Sequence, residues 1–361
     1  MLLYYQFIHL STKIYIKYVD IMNRIYADSD VCRWHLTQLN LEITDEITAS
    51  SSAVFHMPYP YDPEFEIKIE RAVAVCPKVV ILVSELHAES TRFIVNHQHP
   101  RIKYFVCGFV EGYSSNQWMD WFITTSGFYK HNDLLDHLFP YRVKPKVFDV
   151  LLGWAKPHRQ KIYDYLLENK LTHRVTLTYL RDRSLSLQQQ LPDSWIWPDI
   201  DIPKDTLSNT ITRVKYKNNQ VSLSQIISTD IYNQSSYTIV AETNYDNHYS
   251  FYTEKIVKPI LAQRLFIVFS GQHYLSNLRQ LGFKTFNGII DETYDSIEDS
   301  EQRFSMALKQ MRDLIDQPQE EILAKIRPIT EHNKRVMIET DWYADFAREL
   351  RAVLLDHTRQ N

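Results

Sequence analysis

Residues 238–271 read TIVAETNYDNHYSFYTEKIVKPILAQRLFIVFSG, and the order of residue types along them decides the class of fold. One apolar run ends at Ala241, and a second, LFIVF, fills 265–269. Short β-branched runs without polar alternation are strands buried on both faces of a parallel sheet. Between them Thr253 is a good N-cap for a helix predicted over 253–263, with Glu254 and Lys255 in its first turn. Strand, helix, strand is the repeating unit of such a sheet. Glu242 and Asn244 then stand at the carboxyl edge of the first strand, where open α/β sheets bind ligands. Pro259 lies inside the predicted helix, where a regular interior would lose about 3 kcal/mol, so the helix either kinks there or starts late.

The same alternation continues on both sides. KVVILV at 78–83 and RIKYFVCGFV at 101–110 are predicted strands, 65–72 and 84–96 predicted helices, and 118–124 a third strand. The two prolines of FPYRVKPK, 139–146, mark a junction. Beyond it a strand is expected at 148–152, a helix from Pro157 to about 169 and a strand at 174–180. The polar stretch 188–220 reads as irregular or inserted, and a short helix is expected over 226–232. After the decisive segment come a helix at 274–281 closed by Gly282, a strand at 283–286, and helices over 300–315 and 319–355. The fold class is therefore α/β, with two Rossmann-like domains facing across a cleft and helices at the C-terminus. The expected divisions are an extension over 1–21, an acceptor-side domain over 22–143, a donor-side domain over 144–330 and a final helix over 331–361.

With 361 residues the chain suits two cores rather than one. A net charge of -4 and the absence of any block of five basic residues mean that no global field favours nucleic acid, and no nucleic-acid partner is expected. Only 7 glycines occur, and neither GxGxxG nor GxxxxGK[ST] is present. Any phosphate must then be held by helix N-termini and basic side chains. The cysteines, Cys32, Cys76 and Cys107, are odd in number and never at CxxC spacing, which fits buried thiols in a reducing compartment. The first nineteen residues are too polar to span a membrane, and His9, Lys13 and Lys17 would form one stripe on a helix. Membrane contact is expected to be peripheral at most, and the location cytoplasmic. Asp291, Glu292, Asp295, Glu298 and Asp299 match no cation loop and read as a solvated turn, so no metal is expected.

Lys255 supplies a full positive charge beside the N–H groups of a helix start, a suitable place for a diphosphate. Glu254 would repel phosphate and suits ribose or sugar hydroxyls instead. Arg159, behind Pro157 and His158 at another predicted helix start, could fork onto the same diphosphate. Tyr179 ends a strand and offers a face for stacking on a base. In the first domain Glu85 follows KVVILV and is the first candidate for a general base, with His87 the second and Glu111 the third.

The segment Ala241-Glu242-Thr243-Asn244, then Tyr252-Thr253-Glu254-Lys255-Ile256, resembles the donor-binding region of the α1,3-fucosyltransferases, glycosyltransferase family 10. It also resembles exostosin-like transferases. The likeness is good over about 40 residues and is otherwise one of layout, the GT-B arrangement. It implies a glycosyltransferase that is inverting and metal-independent. The implied donor is a nucleotide sugar, a GDP-sugar first and a UDP-sugar second, with fucose among the candidate sugars and a glycan or glycolipid as acceptor. No further cofactor is required. Glu254 and Lys255 would grip ribose and diphosphate, with Glu242, Asn244, Tyr252 and Thr253 around them. The family's glycine and proline after the helix are missing from Ala262-Gln263-Arg264-Leu265-Phe266-Ile267. Two other readings use the same residues: a non-catalytic glycan- or nucleotide-binding protein, and a retaining transferase that pairs Glu242 with Glu254.

Overall fold

A computed structural model describes residues 24–131, 139–180, 213–216, 219–222, 227 and 229–355. The expected extension over 1–21 lies outside them, as does most of 188–220. The chain divides into two compact units, one running through Ile123 and resuming at Asp341, the other spanning Thr124–Thr340.

In the first unit the strands are β1 (Ile25–Ala27), β2 (Ile43–Thr44), β3 (Ser52–His56), β4 (Val79–Val83), β5 (Ile102–Val106), β6 (Gly108–Val110) and β7 (Asn116–Gln117). The helices are α1 (Asp30–Gln38), α2 (Pro63–Val75) and α3 (Ala88–Asn96), while α4 (Asp120–His131) begins in this unit and continues past Thr124 into the second. Among the described residues the main sheet runs β2-β1-β3-β4-β5-β7, with every pairing parallel. All five residues of β4 are buried, as its apolar run requires. Ser29 caps α1, and Asp62 caps α2 with Pro63 in the first turn. The chain goes from β1 through α1 to β2 on one side, then to β3 on the other, so strand order reverses at β1.

The second unit repeats that logic with β8 (Lys146–Leu152), α5 (Pro157–Glu168) and β9 (Val175–Tyr179). A hairpin of β10 (Arg213–Tyr216) and β11 (Asn219–Ser222) follows. Then come α6 (Thr229–Gln234), β12 (Ser235–Ala241), β13 (Tyr249–Phe251), α7 (Glu254–Leu261), β14 (Phe266–Phe269) and α8 (Tyr274–Gln280). α9 (Ser300–Ile315) and α10 (Gln319–Glu339) close the unit. The sheet order is β14-β12-β8-β9, again parallel. Here the order reverses at β8, with β9 on one side and β12 on the other. Asp149, in the middle of β8, is fully buried and pairs with Arg264, which also lies 3.9 Å over the Tyr232 ring. Ser235 and Thr238 each donate a hydroxyl to the same Asp149 oxygen at 3.0 Å.

The last helix, α11 (Trp342–Leu355), belongs to the first unit. Phe346, Leu350 and Leu354, four residues apart, enter its core with Ile25, Val54, Val80, Leu82 and Phe105. Asp341 accepts the Ala344 N–H at 2.9 Å and starts a new helix, so the single helix expected over 319–355 is two. Three further expectations change. Residues 118–124 are mostly the start of α4 rather than a strand, because Phe122 and Ile123 supply a buried helical face. Residues 283–286 form no strand: the Asn333 side chain, instead of a neighbouring strand, bonds both the N–H and the C=O of Lys284, each at 2.8 Å. The acidic turn is not fully solvated, since buried Asp295 accepts from the N–H groups of Leu275 and Ser276 at 2.8 and 2.9 Å and so caps α8. Among the described residues no helix is long and apolar enough to cross a membrane, and all three cysteines are free and buried.

Candidate functional site

In an open α/β sheet the natural ligand crevice lies beyond the carboxyl ends of the strands where strand order reverses. In the second unit that place is the end of β8 and β12, flanked by the starts of α5 and α7. The residues singled out from sequence converge here. Thr253 N-caps α7, its Oγ1 accepting the Lys255 N–H at 3.3 Å. Lys255 Nζ reaches Thr243 Oγ1 at 3.0 Å, Thr253 Oγ1 at 3.3 Å and Glu254 Oε1 at 2.9 Å. Its side chain is 25% exposed, and a bound anion would exchange for one of these three acceptors. Burial alone would raise Glu254, but Lys255 and Lys258 outweigh it and hold that carboxyl below its usual range. Burial lowers Lys258 itself to about 8.

Glu242 behaves differently from expectation. It has no exposed surface. One oxygen accepts the Tyr274 hydroxyl at 2.7 Å and the Thr253 N–H at 3.4 Å. The other accepts the Thr253 hydroxyl at 2.7 Å and the Thr243 N–H at 3.2 Å. Burial raises its pKa, opposed by Lys255 and by those hydroxyls. Glu242 is thus a brace beneath the site instead of a surface that meets a ligand. Tyr252 is equally enclosed and donates its hydroxyl to the Tyr274 carbonyl at 2.9 Å. Asn244 lies half-buried in the following loop, its carbonyl accepting from Ser270 at 3.3 Å.

Arg159 also turns inward. Its guanidinium donates to the carbonyls of Trp154, Glu242 and Ala241 at 2.9, 3.0 and 3.3 Å. His158 Nε2 adds a bond to the Glu242 carbonyl at 3.0 Å. Together they fix the last peptide groups of β12, which would otherwise point unpaired from the sheet. Gly153 permits this, since a Cβ there would stand 3.1 Å from Arg159 Nη1. Desolvation lowers Arg159, against the pull of Glu242 and Glu254, and lowers His158 to about 3. Tyr179 ends β9, two strands from β12; its hydroxyl donates to Gln160 Oε1 at 2.9 Å.

No family model matches the sequence. No curated protein matches it either. Among solved structures, the chain is similar to one described as a crystal structure of α1,3-fucosyltransferase, at 10% identity and a TM-score of 0.37, covering 96% of this chain and 94% of that one. A second, described as α1,3-fucosyltransferase with GDP, is 11% identical with a TM-score of 0.31, covering 93% and 91%. At these values the likeness assigns no residue a role.

In the first unit the equivalent reversal lies between β1 and β3. Glu85 is half-buried in the turn after β4. His87 caps α3, its Nδ1 3.3 Å from the Ser90 N–H and 2.8 Å from Glu89 Oε2. Glu111 is exposed beyond β6, outside the main sheet. Two residues at the reversal itself went unnoticed in the sequence: Asp28, directly after β1, and His56, the last residue of β3. Asp28 Oδ1 accepts the His56 N–H at 3.0 Å, and His56 Nε2 lies 3.0 Å from Ser84 Oγ. Burial lowers His56 to about 4, so at neutral pH the ring is uncharged. The signal was the short apolar run before His56, SAVF, which is a buried strand.

Proposed function

We propose that the chain is a glycosyltransferase that moves a sugar, fucose among the candidates, from a nucleotide-sugar donor to a hydroxyl of a glycan or glycolipid. The observation that supports this reading is the start of α7 at the reversal of strand order, where a capped helix N-terminus and the ammonium of Lys255 stand together. Helix N–H groups and a cation are what a diphosphate needs, and most of all when it departs with added charge. Glu254 would take donor hydroxyls, while Glu242, Arg159 and His158 hold the strand end in place. A GDP-sugar is the first donor and a UDP-sugar the second.

In the transfer the acceptor oxygen forms a bond to the anomeric carbon as the bond to the diphosphate oxygen breaks, with inversion. The acceptor proton goes to a general base, for which Glu85, His87 and Glu111 are the sequence candidates and His56 the structural addition. Lys255 and the helix end supply the neutralising charge, so the step runs without a divalent ion. A retaining mechanism would need a carboxylate at the anomeric carbon, and the burial of Glu242 disfavours that role for it.

The test is a thermal-shift screen with GDP, UDP, CDP and dTDP, followed by assay of nucleoside diphosphate release from the matching sugar nucleotide in EDTA. A ligand of the native state raises the midpoint. Lys255→Ala should abolish both the shift and the turnover in a chain that circular dichroism shows to be folded, its unliganded midpoint lowered because Glu254 loses its ion pair. A shift without turnover would favour a non-catalytic binding protein, and wild-type behaviour of Lys255→Ala would remove this turn from the site.

A further inference from the structure

Glu66 and Glu70 lie one helical turn apart on α2, so their carboxylates share a face. His97 follows α3 as its C-cap and brings its ring to that face. One ligand atom from each of the three lies within 4.8 Å of the others. The ring is held in one orientation. It stacks on Phe93, with centroids 4.1 Å apart and planes 16° from parallel. Its Nδ1 lies 3.0 Å from the Phe93 carbonyl oxygen. A carbonyl only accepts, so Nδ1 carries the proton of that bond, and Nε2 faces Glu66 Oε1 at 2.8 Å. A proton on Nε2 satisfies this contact, and a metal ion bound there would take that proton's place. Glu66 has an outer partner too: the Tyr61 hydroxyl donates to its second oxygen at 3.3 Å. A carbonyl behind the imidazole and a hydroxyl behind the carboxylate are the supports that metal ligands characteristically carry.

We infer that Glu66, Glu70 and His97 bind a divalent transition ion of the zinc type. Two carboxylate oxygens and one imidazole nitrogen fit such an ion, with water completing its shell. The nitrogen donor and the small number of protein ligands argue against calcium, which takes 6–8 oxygens. A tetrahedral ion with bonds of about 2.0–2.1 Å needs ligand atoms about 3.3 Å apart, within reach of small rotations of the two glutamates. Glu70 is exposed and Glu66 half-buried, so these rotations leave the core alone. The ion would tie α2 to the end of α3 and has no part in the transfer step proposed above.

The experiment uses the full chain, stripped with EDTA and dialysed. ZnCl2 is titrated by calorimetry, and CoCl2 is followed by visible absorption. The expected result is one ion per chain, cobalt bands of a low-coordinate nitrogen and oxygen site, and a zinc-dependent rise in thermal midpoint. Loss of an outer partner alone typically weakens metal binding about 10–100-fold, so Glu70→Gln and His97→Gln should each weaken zinc at least that much. Glu70→Gln, at an exposed position, should keep the metal-free midpoint. Absence of stoichiometric uptake by the wild type would overturn the proposal, as would equal zinc affinity in the wild type and Glu70→Gln.

Discussion

Thr253 and Glu242 are joined by a 2.7 Å hydrogen bond in which the threonine hydroxyl donates to the buried carboxylate. The threonine Oγ1 in turn accepts the Lys255 N–H at 3.3 Å, so one hydroxyl links the end of β12 to the first turn of α7. Thr253→Val keeps the shape and removes both bonds. Loss of the cap costs about 1 kcal/mol, and a buried acceptor left short of a partner costs about 1–3 kcal/mol. Urea unfolding should therefore show a loss of about 2–4 kcal/mol. The nucleotide-induced thermal shift should shrink as well. Thr253→Ser, which retains the hydroxyl, should recover most of both; if it behaves like valine, the hydroxyl is not the link.

What was legible in the sequence follows from how local each cause is. β4 was readable because all five of its residues are buried and the run KVVILV states that directly. The cap at Thr253 was readable because it acts within two residues. The burial of Glu242 was not, because Tyr274, 32 positions later, closes over it. Nor was the inward turn of Arg159, whose partners lie 82 and 83 positions away at the end of β12. Residues 283–286 look like a strand until Asn333, 49 positions beyond Lys284, takes both of its backbone groups. Periodicity reports which face is buried, and a partner supplied from elsewhere in the chain leaves no mark on it.

Gln263 closes α7 with φ at 53°, a left-handed conformation that glycine adopts freely. An L-residue there costs roughly 1–2 kcal/mol, partly offset by the greater entropy glycine loses on folding. Gln263→Gly should therefore stabilise the chain by about 1 kcal/mol, read as a higher urea midpoint at unchanged slope. An unchanged or lower midpoint would show that the glutamine side chain contributes more than its backbone costs.

Burial lowers His35 and His158 to about 3 and His56 to about 4. In the unfolded chain each ring takes a proton below about pH 6.5. Between that value and about 3–4 the unfolded state binds more protons, so stability falls as pH falls through this window. The raised carboxyl of Glu242 acts in the opposite direction, since it keeps its proton longer in the fold. A single replacement isolates one ring. His158→Gln keeps a donor for the Glu242 carbonyl and removes the titrating group. Its stability should decline less steeply than the wild type between pH 6 and 4 by urea unfolding, while identical slopes would mean that His158 does not titrate in the unfolding equilibrium.

Gly271 follows β14 and lies against the loop between Glu242 and Tyr249. A Cβ at this position would collide with the Asp246 carbonyl oxygen and stand 3.2 Å from that of Tyr249. Both contacts are to backbone, so no side chain can rotate away and the loop itself must move. The demand is close approach, not a special backbone angle. Gly271→Ala should cost about 1–3 kcal/mol, as overpacking does, and should displace the loop that precedes Thr253, reducing the nucleotide-induced thermal shift more than stability alone accounts for. Gly127→Ala is the matched control: it lies inside α4, and a Cβ there meets nothing within 4 Å. Alanine at that helical position should be neutral or stabilising by up to about 1 kcal/mol. Equal behaviour of the two alanines in unfolding and in nucleotide binding would mean that the loop does not pack on Gly271 in solution, and that the carboxyl edge of β12 is less rigidly shaped than its hydrogen bonds require.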